Sequence, residues 1–365
     1  KNFKNYIPHR NNDGYGFHAD TLNEFKESGT RLIITVDVGI TDVKTVKEAR
    51  NLGIDVIITD HHETNGGIPD AFAILNPKQK DCRYPFKHLS GTGVAFKLIQ
   101  ALLKKGNFDL KEGTEKWWLD LVGLATLSDM VPLRGENRVL AYYGLVVLRK
   151  TKRPGLLQLY RKLQISMAHV TEDDIGFMIT PRINAASRMG HPEDAFSLLV
   201  AEDETSAGKY VEHLNTINDE RKGVVASIVK EIRKKLKEKS QVSSVIVLGN
   251  PNWQPSLLGL AANSLVEEFS RPVFLWGREN GGNLKGSCRS ANVSVLKLLE
   301  SADDFLEQFG GHEFAGGFSI LPGKVHLLEG CLSKTYEKEK ENLEEFEGRD
   351  FDAELSLKDV NWRKL

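Results

Sequence analysis

Arg31-Leu32-Ile33-Ile34-Thr35-Val36-Asp37-Val38-Gly39 and Ile54-Asp55-Val56-Ile57-Ile58-Thr59-Asp60-His61-His62 are the two stretches whose reading decides the fold. Each is a short apolar, β-branched run that closes on acidic or imidazole side chains. Between them, Asp42 to Leu52 has helical spacing and is stopped by Gly53. Strand, helix and strand within about thirty residues make a βαβ unit, and hence a parallel sheet. In such sheets the ligand crevice lies outside the carboxyl ends of the strands. Asp37 and Asp60-His61-His62 are therefore expected at one edge of one sheet.

From Gly91 to about Val200 the pattern turns mainly helical. Gly93 to Lys105, Lys116 to Leu127, Asn137 to Arg149 and Pro192 to Ala201 carry apolar residues at three- and four-residue spacing. Thr205 to about Lys239 has no proline and reads as one long connecting helix. After it Val242 to Leu248 reads as a strand, Ser256 to Phe269 as a helix and Pro272 to Trp276 as a strand. A glycine-rich region follows, Gly281 to Gly286, and then Phe309-Gly310-Gly311-His312. Residues 334–348 are charge-rich and read as a solvated helix. The expected fold class is α/β: a parallel-sheet domain joined by a long helix to a smaller α/β domain. With 365 residues the chain exceeds one ordinary core.

Hydrophobic residues make up 40% of the sequence and charged residues 27%, as in a globular protein. No apolar run approaches the roughly eighteen residues of a membrane span, and Lys1 to Tyr6 has no apolar signal region. Cys82, Cys288 and Cys331 are scattered and form no CxxC pair, which argues against zinc or disulfide frameworks and for the reducing cytoplasm. A net charge of −1 excludes coating of nucleic acid by bulk positive charge but leaves room for a local basic groove.

Imidazole and carboxylate together, as in Asp60-His61-His62, suit manganese, iron, zinc or cobalt. Asp37, at the neighbouring strand end, is in reach of the same ion. Asp129 is a third acidic candidate, where an apolar helix stops in Leu127-Ser128-Asp129-Met130-Val131-Pro132. The plainer alternative is a surface histidine pair and two helix caps. Arg182, Asn184, Ser187 and Arg188 form a further cluster, whose guanidinium forks fit phosphate oxygens or, alternatively, a helix-surface ion pair. Arg10, beside Gly14-Tyr15-Gly16, is another phosphate candidate. Gly310-Gly311-His312 and Gly316-Gly317 permit close approach of a ligand backbone, with His312 as a donor; the alternative is a turn around a buried histidine. Ser287, Arg289 and Ser290 read in the same two ways. Trp117-Trp118 opens an apolar helix and is expected to pack, although tryptophans can stack bases.

The order of segments carries more than any one of them. Tyr6-Ile7-Pro8-His9-Arg10, Gly14-Tyr15-Gly16, Val36-Asp37-Val38-Gly39-Ile40 and Thr59-Asp60-His61-His62 resemble the DHH phosphoesterase superfamily and, within it, the RecJ family of single-strand-specific exonucleases. The likeness continues through Ser90-Gly91-Thr92-Gly93, Leu127-Ser128-Asp129-Met130-Val131-Pro132, Pro181-Arg182-Ile183-Asn184-Ala185-Ala186-Ser187-Arg188, Leu214-Asn215 to Glu220-Arg221, Lys285-Gly286-Ser287-Cys288-Arg289-Ser290 and Phe309 to His312. It covers essentially the whole chain.

That resemblance implies that Asp37, His61 and Asp129 are metal ligands in a site for two divalent ions, Mn2+ or Mg2+. It places His62 next to the scissile phosphate and Asp60 in support of the ligand shell, together the catalytic pair. Arg10, Arg182, Asn184, Ser187, Arg188, Ser287, Arg289, Ser290, Gly310, Gly311 and His312 are implied to hold the nucleic acid. The implied reaction is metal-dependent 5′-to-3′ hydrolysis of single-stranded DNA in repair and recombination. The implied partners are single-stranded DNA, a single-strand-binding protein and a helicase, with no membrane. A hydrolase of short oligonucleotides or cyclic dinucleotides, and a catalytically silent binding scaffold, are the alternatives. The implied domains are a DHH domain over 1–203, a connecting helix over 204–240, a DHH-associated domain over 241–348 and the start of an OB-type domain over 349–365.

Three departures from the family pattern set further expectations. The family has an aspartate-rich strand-end motif upstream of the Tyr6 segment, whereas the sequence opens at Lys1. A truncated chain with an incomplete metal site and an exposed sheet edge is expected on that ground. Phe351 to Leu357 resembles the first strand of an OB-type domain cut short. Trp253-Gln254-Pro255-Ser256 stands where relatives carry histidine and glycine at the second and fourth positions.

Overall fold

The two apolar runs form β1 (Leu32–Val36) and β2 (Asp55–Thr59), connected by α2 (Val43–Asn51). They pair in parallel, Leu32 opposite Asp55 and Val36 opposite Thr59. β3 (Ala73–Leu75) pairs in parallel on the far side of β2. The computed structural model describes residues 3–9, 16–64, 67–238, 242–278, 284–321 and 323–341, with 354, 356 and 358. The OB-like opening proposed at Phe351 lies outside the described residues. The chain divides into two compact units, Lys1–Gly223 and Val224–Leu365.

In the first unit, Val56 and Ile58 of β2 are buried with Val46 and Ala49 of α2 and with Leu22 and Phe25 of α1 (Asp20–Glu27), a helix not expected from the sequence. Among the described residues β1 is an edge strand, and its Leu32, Ile34 and Val36 are each about half exposed. The rest of the unit is helical: α3 (Gly91–Lys105), α4 (Leu119–Ser128), α5 (Gly135–Leu148), α6 (Pro154–Leu163), α7 (Thr180–Met189), α8 (Pro192–Val200) and the first part of α9 (Glu204–Glu238). Leu148, Leu156, Leu159, Ile175, Ile179, Leu198 and Leu214 are fully buried at its centre. Each such side chain contributes about 1.5–3 kcal/mol by leaving water. Gly123 of α4 and Gly144 of α5 let these helices meet backbone to backbone, since a Cβ on Gly123 would lie 2.6 Å from Gly144 Cα. The C-terminal end of α4 is thereby fixed. Trp117 departs from expectation: it lies in a 3-10 turn before α4 and is 54% exposed rather than packed.

The second unit contains a five-stranded sheet in the order β4-β5-β6-β8-β7: β4 (Ile246–Gly249), β5 (Val273–Arg278), β6 (Leu284–Arg289), β7 (Leu306–His312) and β8 (Ala315–Ile320). β4 and β5 are parallel and the other pairs antiparallel. Side chains alternate between its faces. Val273 and Leu275 bury against α10 (Pro255–Phe269) and Ile228, Ile232 and Leu236 of α9. Phe274, Cys288 and Phe318 bury on the opposite face against α11 (Val295–Ser301) and α12 (Val325–Glu341). Trp253 is buried and donates from Nε1 to Glu231 Oε2 at 2.9 Å, and Gln254 and Ser256, the two departures noted there, stand at the start of α10. Among the described residues no helix is long and apolar enough to cross a membrane.

Candidate active site

Asp37 follows β1 immediately, and its amide donates to Thr59 O at 2.9 Å, continuing the β1–β2 ladder by one residue. Its φ of 64° is left-handed, a conformation that costs about 1–2 kcal/mol for a residue with a Cβ and that aspartate tolerates better than most. The turn sends the carboxylate toward the N-terminus of α3. Gly91 makes room for it: a Cβ there would lie 2.5 Å from Asp37 Cβ and Cγ. Ser90 caps the same helix, its Oγ accepting from Gly93 N at 3.1 Å. The Ser90-Gly91-Thr92-Gly93 run therefore shapes the wall that Asp37 stands against.

Asp60 is 1% exposed at the end of β2. Its Oδ2 accepts from Ile40 N at 3.0 Å, and its Oδ1 from His61 N at 2.7 Å and His62 N at 3.2 Å. His62 Nδ1 is also 2.7 Å from Oδ1. Burial alone raises the Asp60 carboxyl, but the hydrogen bonds from His62 and Ile40 outweigh it and hold it below its ordinary value. The same contact with Asp60 holds the His62 imidazole above its ordinary value, against the opposing effect of burial. With Nδ1 held by Asp60, Nε2 is the ring nitrogen of His62 left for other contacts. The buried Asn76 completes the support, donating from Nδ2 to His62 O at 2.9 Å.

His61 is the centre of the arrangement. Its Nε2 lies 3.0 Å from Asp37 Oδ1 and 3.5 Å from Asp129 Oδ2. Asp129 caps the C-terminus of α4. The loop after it is held by the fully buried Asn137, whose Nδ2 donates to Pro132 O at 3.0 Å and His88 O at 2.5 Å. Desolvation pushes the Asp129 carboxyl up, His61 opposes the shift, and the Asp37 carboxylate adds to it. Ligand atoms from Asp37, His61 and His62 lie within 4.8 Å of one another. Two carboxylates that repel each other, joined through one imidazole nitrogen, form a donor set that a divalent cation satisfies.

The other expected residues fall into two groups. On α7, Arg182 donates from Nε to Asn215 Oδ1 at 3.0 Å and from Nη1 to Met178 O at 2.6 Å, so much of its fork is used inside the first unit. Asn184 is exposed, and Ser187 Oγ donates to Asn184 O at 3.3 Å. Arg188, partly buried, lies on the same helix. A hydrogen bond of 2.6 Å between Ser128 and Thr180 hydroxyls ties the start of α7 to the end of α4, beside Asp129. In the second unit, Ser287, Gly317 and Gly310 align across β6, β8 and β7, and Arg289, Ala315 and His312 form the next row on the same face. Gly311 points to the opposite face; a Cβ there would lie 2.6 Å from Gly316 Cα, so its smallness serves the neighbouring strand. His312 is exposed in β7 rather than buried in a turn. Ser290 is buried, its Oγ accepting from Val293 N at 3.2 Å to close the turn after β6. Arg10 lies outside the described residues.

Residues 1–126 match the DHH family, N-terminal domain, and residues 241–328 match the DHHA1 domain. A solved structure of exonuclease RecJ bound to manganese superposes with a TM-score of 0.73 at 32% identity, covering 90% of this chain and 81% of that one. This chain belongs to the RecJ family. RecJ from Thermus thermophilus, in complex with Mn2+, superposes with a TM-score of 0.77 at 31% identity, over 88% of this chain and 47% of that one. The single-stranded-DNA-specific exonuclease RecJ of Bacillus subtilis is 38% identical over 331 residues, which are 90% of this chain and 41% of the relative. The chain thus spans less than half the length of that RecJ.

Some supports of this RecJ-family site escape a reading by residue type. Asn76 sits in an ordinary loop, and only the folded backbone brings its amide to His62 O. Gly91 was legible as part of a motif, but its task, making room for Asp37, needs the β1–α3 contact. The π-helical turn Asp174–Ile179 that leads into α7 has no composition signal, although such turns recur near functional sites.

Proposed function

We propose that the protein hydrolyses phosphodiester bonds of single-stranded DNA stepwise from the 5′ end, using two divalent ions, Mn2+ or Mg2+. The observation that carries this reading is the convergence of Asp37, His61 and Asp129 at the carboxyl ends of β1 and β2 and the end of α4. The relatives named single-stranded-DNA-specific exonucleases and the manganese-bound neighbours support it.

Asp37, His61 and Asp129 would hold the metal. When bound, divalent ions supply Lewis-acid charge that activates a water and stabilises the attacking and leaving oxygens of a phosphodiester. Asp60, fully buried, is a positioning residue: it fixes the His62 ring and raises its proton affinity. His62 then offers its partly exposed ring as a hydrogen-bond donor, suited to a non-bridging phosphate oxygen. Arg182 and Arg188 on α7 supply positive charge for the adjoining backbone, and Asn184 and Ser187 supply neutral polar contacts. Ser287, Arg289, Gly310 and His312 share one face of the second sheet; Gly310 and His312, exposed on its edge strand, would meet the DNA strand first, Ser287 and Arg289 lie on the part of that face beside α10, and Gly311 and Ser290 shape its backbone. The site of action is the cytoplasm, and a single-strand-binding protein and a helicase are the partners that would deliver such a substrate.

The test is cleavage of oligonucleotides labelled at either end, single-stranded or duplex, and of dinucleotides, with Mn2+, beside His61→Ala. Release of labelled mononucleotide first from the 5′ end of the single strand, lost in His61→Ala, is expected. Cleavage of dinucleotides alone would assign a short-oligonucleotide hydrolase. Binding of DNA without any metal-dependent cleavage would leave a scaffold.

A further inference from the structure

We propose that His191, Asp194 and His213 form a second metal site, separate from the one at the strand ends, that takes an imidazole-preferring divalent ion such as Zn2+. Asp194 Oδ2 lies 3.1 Å from His213 Nε2 and 4.0 Å from His191 Nδ1. One ligand atom from each of the three residues falls within 4.8 Å of the others. In a tetrahedral zinc site, metal–ligand bonds of about 2.0–2.1 Å place neighbouring donors roughly 3.3 Å apart. The His213–Asp194 separation of 3.1 Å is close to that value, and the His191–Asp194 separation of 4.0 Å reaches it by a side-chain adjustment of about 0.7 Å.

The frame that carries these side chains is built. His191 occupies the turn between α7 and α8, where Gly190 has a φ of 102° and Pro192 opens the next helix. The His191 amide donates to Ala186 O at 2.7 Å, and the Asp194 amide donates to His191 O at 3.2 Å. His213 projects from α9, and its ring meets that of His191 edge to face at 5.7 Å between centroids. Two imidazoles thus turn a nitrogen toward one carboxylate oxygen, from two helices and a capped turn. A surface ion pair needs only one of those histidines, and an exposed pair of that kind contributes little.

The donor set also selects the ion. Two nitrogens and one oxygen suit zinc, cobalt, nickel or copper, whereas Mg2+ requires oxygen ligands. Three protein ligands leave a coordination position for water. The half-exposed histidines keep that position open to solvent. A metal there would fasten the α7–α8 turn to α9 and so steady the helix that carries Arg182 and Arg188.

Equilibrium dialysis against Zn2+, with metal counted by plasma mass spectrometry, tests this on the parent, His213→Ala, His191→Ala and His61→Ala. Loss of one zinc equivalent in both His213→Ala and His191→Ala, but retention of that equivalent in His61→Ala, is expected. Because loss of a supporting partner alone weakens metal binding about 10–100-fold, loss of a direct ligand should cost at least that. Circular dichroism checks each fold, and His191→Ala, in a turn, leaves α9 intact should His213→Ala unfold. Substituted Co2+ gives a second readout, a visible d–d band from the His2Asp environment that His191→Ala abolishes. Unchanged zinc stoichiometry and affinity in both histidine variants would overturn the proposal and leave an ion pair between α8 and α9.

Discussion

Gly91→Ala should disable the metal centre while sparing the fold. The added Cβ would lie 2.5 Å from Asp37 Cβ and Cγ and closer still to Oδ1. Asp37 must therefore retreat by about 1 Å to restore a van der Waals separation. Its backbone cannot absorb the shift, because the Asp37 amide is bonded to Thr59 O at 2.9 Å and its φ is already 64°. The carboxylate consequently swings off His61 Nε2, from which it now stands 3.0 Å. A displacement of this size at a reacting centre costs on the order of 100-fold in rate, and disturbed ligand support costs about 10–100-fold in metal affinity. Folding stability falls by about 1–3 kcal/mol, the usual cost of overpacking, which leaves the fold in place. Mn2+ titration calorimetry and thermal melting measure the two effects separately. Gly208→Ala in α9, where a Cβ meets nothing within 4 Å, is the control and should keep parental affinity. A Gly91→Ala protein that binds Mn2+ within about a factor of two of the parent would refute the reasoning that ties Asp37 to the ion.

Three further outcomes follow from the site and core. Asp60→Asn puts an amide where the buried carboxylate accepts from Ile40, His61 and His62; a mismatched buried donor costs about 1–3 kcal/mol, and calorimetric melting should register it together with a fall of about 10–100-fold in metal-dependent cleavage. In the metal-free protein the Asp60–His62 pair should give a two-sided pH dependence of stability. His62 is raised above 6.5 when folded, so its contribution is full below that value and is lost as pH rises through the folded value. Asp60 is lowered below 3.8, so its contribution is full above that value and is lost as pH falls through the folded one. Melting temperatures of the parent and His62→Ala in chelator across this range check both arms, and a parallel pair of curves would count against the coupling. Burial pushes the Cys288 thiol up to about 12. Alkylation of native protein at neutral pH should therefore modify Cys82 and Cys331, both partly exposed, and spare Cys288 until the chain unfolds; peptide mass spectrometry shows which.

What the sequence carried most clearly was period and punctuation. The β-branched runs before Asp37 and Asp60 are short, buried on one face and separated by an amphipathic helix, so the parallel pair and its functional end were legible together. Asp129 was legible because the apolar spacing of α4 stops there. The supports were not, because they depend on contacts between distant segments. Asn76 reaches His62 O only after β3 pairs with β2, and Ser128 meets Thr180 only after α4 and α7 pack. In the second unit the glycines suggested a tight turn, whereas Gly310 and Gly311 lie within a strand. Glycine composition alone does not distinguish a turn from a crowded sheet row, and the register of β7 on β8 decides between them. His191, in a turn, and His213, within α9, belong to no motif, and only the approach of α8 to α9 makes a cluster of them.

Anomalous scattering at the manganese edge, from crystals grown with Mn2+, tests the central claim most directly. A peak is expected within roughly 2.0–2.3 Å of Asp37, His61 and Asp129 ligand atoms, abolished in His61→Ala crystals. Fully occupied manganese elsewhere, with none between those three side chains, would contradict it.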